Sequence, residues 1–111
     1  MIAHQGGKND VAVDLITRAL TAKPDYADAH NNLGLVLMEF RRVDEAVMHY
    51  HKALDIKPGY AEAHFNLGNA LKALGRFDEA AVHYRKATIL KPEFAKARSG
   101  LAAMISDGHR T

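Results

Sequence analysis

Residues 27–60 read ADAHNNLGLVLMEFRRVDEAVMHYHKALDIKPGY, and residues 61–94 read AEAHFNLGNALKALGRFDEAAVHYRKATILKPEF. Aligned end to end, half of their positions are identical, far beyond what unrelated segments share, so the chain is built by repetition with a period of 34 residues. The period runs outward in both directions. Lys23-Pro24, Lys57-Pro58 and Lys91-Pro92 fall into register, each followed two residues later by Tyr26, Tyr60 or Phe94. Ala12, Ala46 and Ala80 align, as do Ala19, Ala53 and Ala87, and then Leu33, Leu67 and Leu101.

Each period holds two helical patterns. In the first, Ala29, Leu33, Leu37 and Phe40 recur at spacings of three and four, as do Ala63, Leu67, Leu71 and Leu74, which places each set on one face of a helix. This predicts first helices near 27–40, 61–74 and 95–106. The second pattern opens on Asp44-Glu45 and Asp78-Glu79, where the helix dipole favours negative charge, and closes on a Lys before a helix-ending Pro. It predicts second helices near 9–22, 43–56 and 77–90. Gly75 suits the left-handed residue of a tight turn between the two helices, whereas Arg41 holds the equivalent place at a cost of about 1 kcal/mol. That cost predicts a turn at 40–43 prone to straighten, giving a swap of helices between copies.

Small residues at Gly34, Gly68, Ala46 and Ala80, the aromatics Tyr50 and Tyr84 and prolines 34 apart resemble the tetratricopeptide repeat. The family pattern W-x2-L-G-x2-Y, then A-x3-F, then P reads here H-x2-L-G-x2-L, then A-x3-Y, then P. His30 and His64 thus take the aromatic position, as part-buried rings with one nitrogen satisfied. The wording A-H-x-N-L-G with GRFDEA is similar to the repeats that precede the catalytic domain of protein O-linked N-acetylglucosamine transferases and to those of their bacterial relatives. The resemblance implies an all-α, antiparallel helix-hairpin solenoid, a right-handed superhelix of about five full helices plus an N-terminal stub. Residues 1–111 then form one array: 8–26 the second helix of a truncated repeat, 27–60 and 61–94 full repeats, 95–106 a further first helix or cap, and 107–111 a tail. Both ends fall inside repeats, as in an excised piece of a longer array.

Composition narrows the function. Fifteen Lys and Arg against 13 Asp and Glu leave a formal +2, with the basic residues dispersed among acidic ones, so no nucleic-acid partner is indicated. There is no Cys for a disulfide or thiolate metal site, and no apolar run approaches a membrane span, which points to a soluble cytoplasmic chain. Neither G-x-S-x-G nor a phosphate loop is present, and the Asp-Glu pairs are explained by helix starts, so no catalytic residues and no cofactor are expected. No two of the seven histidines have the three- or four-residue spacing of helical metal ligands, so no metal is expected either. Glu45 with His49, Glu79 with His83 and His51 with Asp55 are expected as surface helix pairs.

The resemblance places the first helices on a concave side that holds an extended peptide. Opposite the Leu33 and Leu37 stripe lie Asp28, Asn31, Leu35 and Met38, flanked by Asn32 and Glu39. In the next repeat the same face carries Glu62, Phe65, Asn69 and Lys72, flanked by Asn66. Apolar groups among amides suit a groove for side chains and backbone, since an amide offers donor and acceptor together. The expected peptide-binding residues are therefore Asn31, Asn32, Leu35, Met38, Phe65, Asn66, Asn69 and Lys72. Asn31 and Phe65, the one letter that differs between AHNNLG and AHFNLG, are expected to point into the open groove and set ligand preference. The functional expectation is a non-catalytic interaction scaffold for a protein or peptide ligand. Two further expectations are a substrate-recruiting fragment of a glycosyltransferase and a homo-oligomer formed by end-to-end stacking or helix swapping.

Overall fold

The computed structural model describes residue 14 and residues 26–108, the side chains of 105–108 excepted. Apart from residue 14, which is helical, the helix expected near 9–22, the N-terminal stub and the apolar flank of Ala12, Leu15 and Ile16 lie outside the described residues. Among those described, five α-helices follow one another: α1 (Ala27–Glu39), α2 (Val43–Ile56), α3 (Ala61–Ala73), α4 (Phe77–Leu90) and α5 (Ala95–Gly108). The last runs two residues beyond its expected end, because nothing before Gly108 interrupts it. The chain is all-helical over this span, and none of these helices is long and apolar enough to cross a membrane.

The helices pack as hairpins, α1 on α2 and α3 on α4, and each hairpin stacks on the next. Ala29, Leu33 and Leu37 of α1 meet Ala46, Tyr50 and Ala53 of α2, all buried; Ala63, Leu67, Leu71, Ala80 and Tyr84 repeat the layer one period on. The expected packing roles of the small residues are explicit here. A methyl added at Gly68 would stand 2.8 Å from the Tyr84 ring, and one at Gly100 would stand 2.9 Å from the same ring. The glycines are therefore the space into which the tyrosine ring fits.

Both turns within hairpins are closed. In the second, the Arg76 N–H donates to the Leu71 carbonyl at 2.9 Å and the Gly75 N–H to Lys72 at 3.0 Å, with Gly75 at φ 78°. In the first, the Arg42 N–H donates to Leu37 at 2.9 Å and the Arg41 N–H to Met38 at 3.0 Å, with Arg41 at φ 64°. This is the same six-to-one, five-to-two cap in both places. The expectation that Arg41 would straighten the connection is overturned: two cap bonds and a buried hairpin interface outweigh about 1 kcal/mol of left-handed strain. Bidentate pairs from Arg42 to Glu45 and Arg76 to Glu79, each at 2.7 Å, then open the second helices.

Candidate functional site

The eight residues expected to line the groove divide by their surroundings. Asn32, Leu35 and Lys72 are exposed, Leu35 at 44%; Met38, Asn66 and Asn69 are partly covered; Phe65 is partly covered and packs on the core, as Met38 does. Asn31 is not open at all. It is 5% exposed and lies in the seam between repeats.

That seam is a directed chain of hydrogen bonds. Asn66 Nδ2 donates to Asn31 Oδ1 at 2.9 Å, and Asn31 Nδ2 reaches the Tyr60 hydroxyl at 3.4 Å. Burial, with the negative Asp28 carboxylate nearby, pushes the Tyr60 phenol up to about 12. The Tyr60 hydroxyl oxygen accepts from the Asn31 amide, so the Asn31 Nδ2 is committed to Tyr60. This fixes Asn31 Oδ1 as the acceptor for Asn66. It also turns the Asn66 carbonyl oxygen away from the chain.

One period later the seam changes chemistry as a unit. Phe65 stands where Asn31 stood, Phe94 replaces Tyr60, and their rings lie 5.0 Å apart between centroids, with Tyr84 5.9 Å from Phe65. An amide faces a hydroxyl in one seam and a phenyl faces a phenyl in the next. The differing letter in AHNNLG and AHFNLG therefore matches the aromatic that ends its own repeat and leads into the next first helix. For Asn31 the expected groove position is corrected to an inter-repeat contact, and Phe65 has most of its ring engaged in the same way.

Asn69 is held from below, accepting from the Tyr84 hydroxyl at 2.5 Å. In the first hairpin its place belongs to Leu35, and the Tyr50 hydroxyl is buried with no hydrogen-bond partner among the described residues. Around the outer margin, Lys91 pairs with Glu62 at 2.9 Å and holds its carboxyl below the usual range.

His49 and His83 lie beside Glu45 and Glu79 as expected, but their rings also have partners on the other helix of the hairpin. His49 reaches across to His30, and His83 to His64, each with Nδ1 atoms 3.1 Å apart. His64 Nε2 also meets the Pro58 carbonyl at 3.1 Å. The legible signal was the repeated separation of 19 residues between partners, which spans a turn and so escapes a search for helical spacing. Among the described residues no three His, Asp or Glu come together as metal ligands.

Helix pairs repeating every 34 residues, each seated by a tyrosine in a glycine notch, define a helical-repeat protein of the solenoid class. The tetratricopeptide repeat family matches residues 25–91, and the chain belongs to it. Members of this class serve as protein-interaction scaffolds and are as a rule non-catalytic. The Arabidopsis OM64 TPR domain superposes with a TM-score of 0.84 at 25% identity, over 92% of this chain and 84% of that one. The first TPR of Spaghetti (RPAP3), solved bound to an HSP90 peptide, gives 0.88 at 23% identity, over 97% and 85%. An O-GlcNAc transferase from Thermobaculum terrenum gives 0.83 at 30% identity, with 93% of this chain matched to 20% of that one. No curated protein matches the chain.

Proposed function

We propose that the chain is a non-catalytic scaffold that holds an extended peptide against α1 and α3, with Asn32, Leu35, Asn66, Asn69 and Lys72 as its contact residues and Met38 at the margin. The observation that carries this reading is Asn66. Its amide is oriented by Asn31, itself bonded to Tyr60, which leaves its carbonyl oxygen uncommitted beside a second amide, Asn69, one helical turn away. Such amides suit peptide N–H and C=O groups whatever the side-chain sequence. The exposed Leu35 adds apolar area and Lys72 a charge.

Selection from a random extended-peptide library on the intact chain, followed by fluorescence polarisation, tests the reading. Asn32→Ala/Asn66→Ala should weaken the selected peptides by about tenfold or more, corresponding to one or two lost hydrogen bonds. Met48→Ala/Val82→Ala, on exposed positions of α2 and α4, should leave binding unchanged. Equal binding by all three chains would remove the groove from consideration.

The likeness to the Thermobaculum transferase favours one second reading, in which the same groove presents protein substrates to a catalytic domain. Sequence of the parent chain following residue 111 decides it. End-to-end association is a separate proposal, favoured by clefts of 550 and 340 Å³ along α5 that Arg98 and Ala102 share. A mass that stays monomeric at every concentration in light scattering would count against it.

A further inference from the structure

The histidine pairs are not used by the groove, and they occur at the same place in both hairpins. In each, the ring centroids are 5.3 Å apart and the planes nearly parallel, at 23° for His30–His49 and 21° for His64–His83. The centroid separation equals the 3.1 Å between Nδ1 atoms plus a ring radius on either side, so the rings meet edge to edge, nitrogen pointing at nitrogen. Each contact is an N–H···N hydrogen bond, and each joins a first helix to a second helix.

The second pair can be assigned atom by atom. The Pro58 carbonyl only accepts, so His64 Nε2 carries hydrogen and neutral His64 Nδ1 is a bare lone pair. His83 Nδ1–H is then the donor, and His83 Nε2 is the site for an incoming proton. A first proton there keeps the bond and makes it charge-assisted. A second proton would have to occupy His64 Nδ1, placing two N–H groups and two positive charges head to head. No such arrangement fits at 3.1 Å. The His83 ring is partly exposed to solvent, and a cleft of 370 Å³ lined by Pro58, Lys86 and Leu90 borders His64.

We infer that the two histidine pairs make the hairpins proton-operated clasps, each closed while it holds at most one added proton and opened when both of its rings are charged. The unfolded chain takes a proton on each ring independently near pH 6.5, so unfolding takes up at least about two more protons than the folded chain accepts. The surroundings act in the same direction. Burial and the His64 charge push His83 down to about 4, with Lys86 and His51 adding to this and Glu79 opposing. Burial, then His30 and Lys52, lower His49 against Glu45, and burial lowers His64 against its Pro58 bond, with Lys86 and His51 assisting. Folded values below the unfolded one mean stability is complete above about pH 6.5 and is lost as pH falls.

Ring-nitrogen correlation NMR on the intact labelled chain, with urea unfolding at pH 7, 6 and 5, tests the inference. At pH 7.5 His83 should show hydrogen on Nδ1 and His64 on Nε2, and neither pair should become doubly charged before unfolding. The folding constant should fall about 100-fold or more between pH 6 and 5. His30→Phe/His64→Phe, which restores an aromatic at those positions, should reduce that fall to less than about tenfold. Four rings titrating independently near 6.5, or equal pH slopes in the two chains, would overturn it. Should the variant not fold, the ring titration of the unaltered chain decides alone.

Discussion

Phe65 of α3 packs on Phe94, the residue that leads into α5, 5.0 Å between ring centroids and tilted by 52°. The equivalent pair one repeat earlier, Asn31 and Tyr60, is joined by a hydrogen bond instead. Each seam is internally matched, and the match reaches 29 residues along the chain. Replacing one member should therefore cost more than replacing both.

Phe65→Asn should lower stability by about 2–4 kcal/mol, because a ring packed on the core is lost and an amide meets phenyl groups. Adding Phe94→Tyr should return about 1 kcal/mol by supplying the hydroxyl that Asn31 finds in Tyr60. A double-mutant cycle in urea unfolding measures the coupling. Strict additivity would refute the matched seam.

The two tyrosines predict opposite responses to losing a hydroxyl. Tyr84→Phe removes a bond to Asn69 and should cost about 1 kcal/mol. Tyr50→Phe removes a buried group without a partner and should be neutral or stabilising. Leu35→Asn should then raise the stability of the chain with Tyr50 intact, since Leu35 stands where Asn69 stands one repeat later. Thermal unfolding of the three variants checks the set.

The caps make a paired prediction. Arg41→Gly should stabilise the chain by about 1 kcal/mol by relieving a left-handed side chain at φ 64°. Gly75→Ala should destabilise it by a similar amount at φ 78°, although a methyl there meets open space. Denaturant midpoints with unchanged m-values would confirm that only the turn was altered.

Carboxylates set a second acid window below the histidine one. Arg42 holds Glu45, Arg76 holds Glu79 and Lys91 holds Glu62 below their ordinary value of 4.5. Depressed carboxyls contribute stability above about pH 4.5 that is lost as pH falls through their folded values. Acid unfolding should therefore show a histidine phase starting near 6.5 and a carboxylate phase below 4.5, and only the latter should weaken in 0.5 M salt, because these ion pairs are exposed.

The helices were legible because their causes are local. Alanine and leucine at three- and four-residue spacing define α1 and α3, and Gly34 and Gly68 announce close packing within a few residues of themselves. What escaped reading depends on partners brought together by folding. Asn31 lies on the face that periodicity calls outward, yet Tyr60, at the entry to α3, and Asn66 within α3 cover it. His49 and His83 have a glutamate four residues before them on the same helix, but their rings are taken by the other helix of the hairpin. Arg41 was read from its own conformational cost, and the cap bonds that repay it come from Leu37 and Met38.

The ring of Tyr84 is bounded by Gly68 in its own hairpin and by Gly100 in the next, so one planar group determines how far apart three helices stand. In a stack, an offset at one joint is inherited by every unit beyond it. A methyl placed at either glycine would thus act less as a local defect than as a change of pitch, turning the far end of a long array toward a different direction while each hairpin stayed folded.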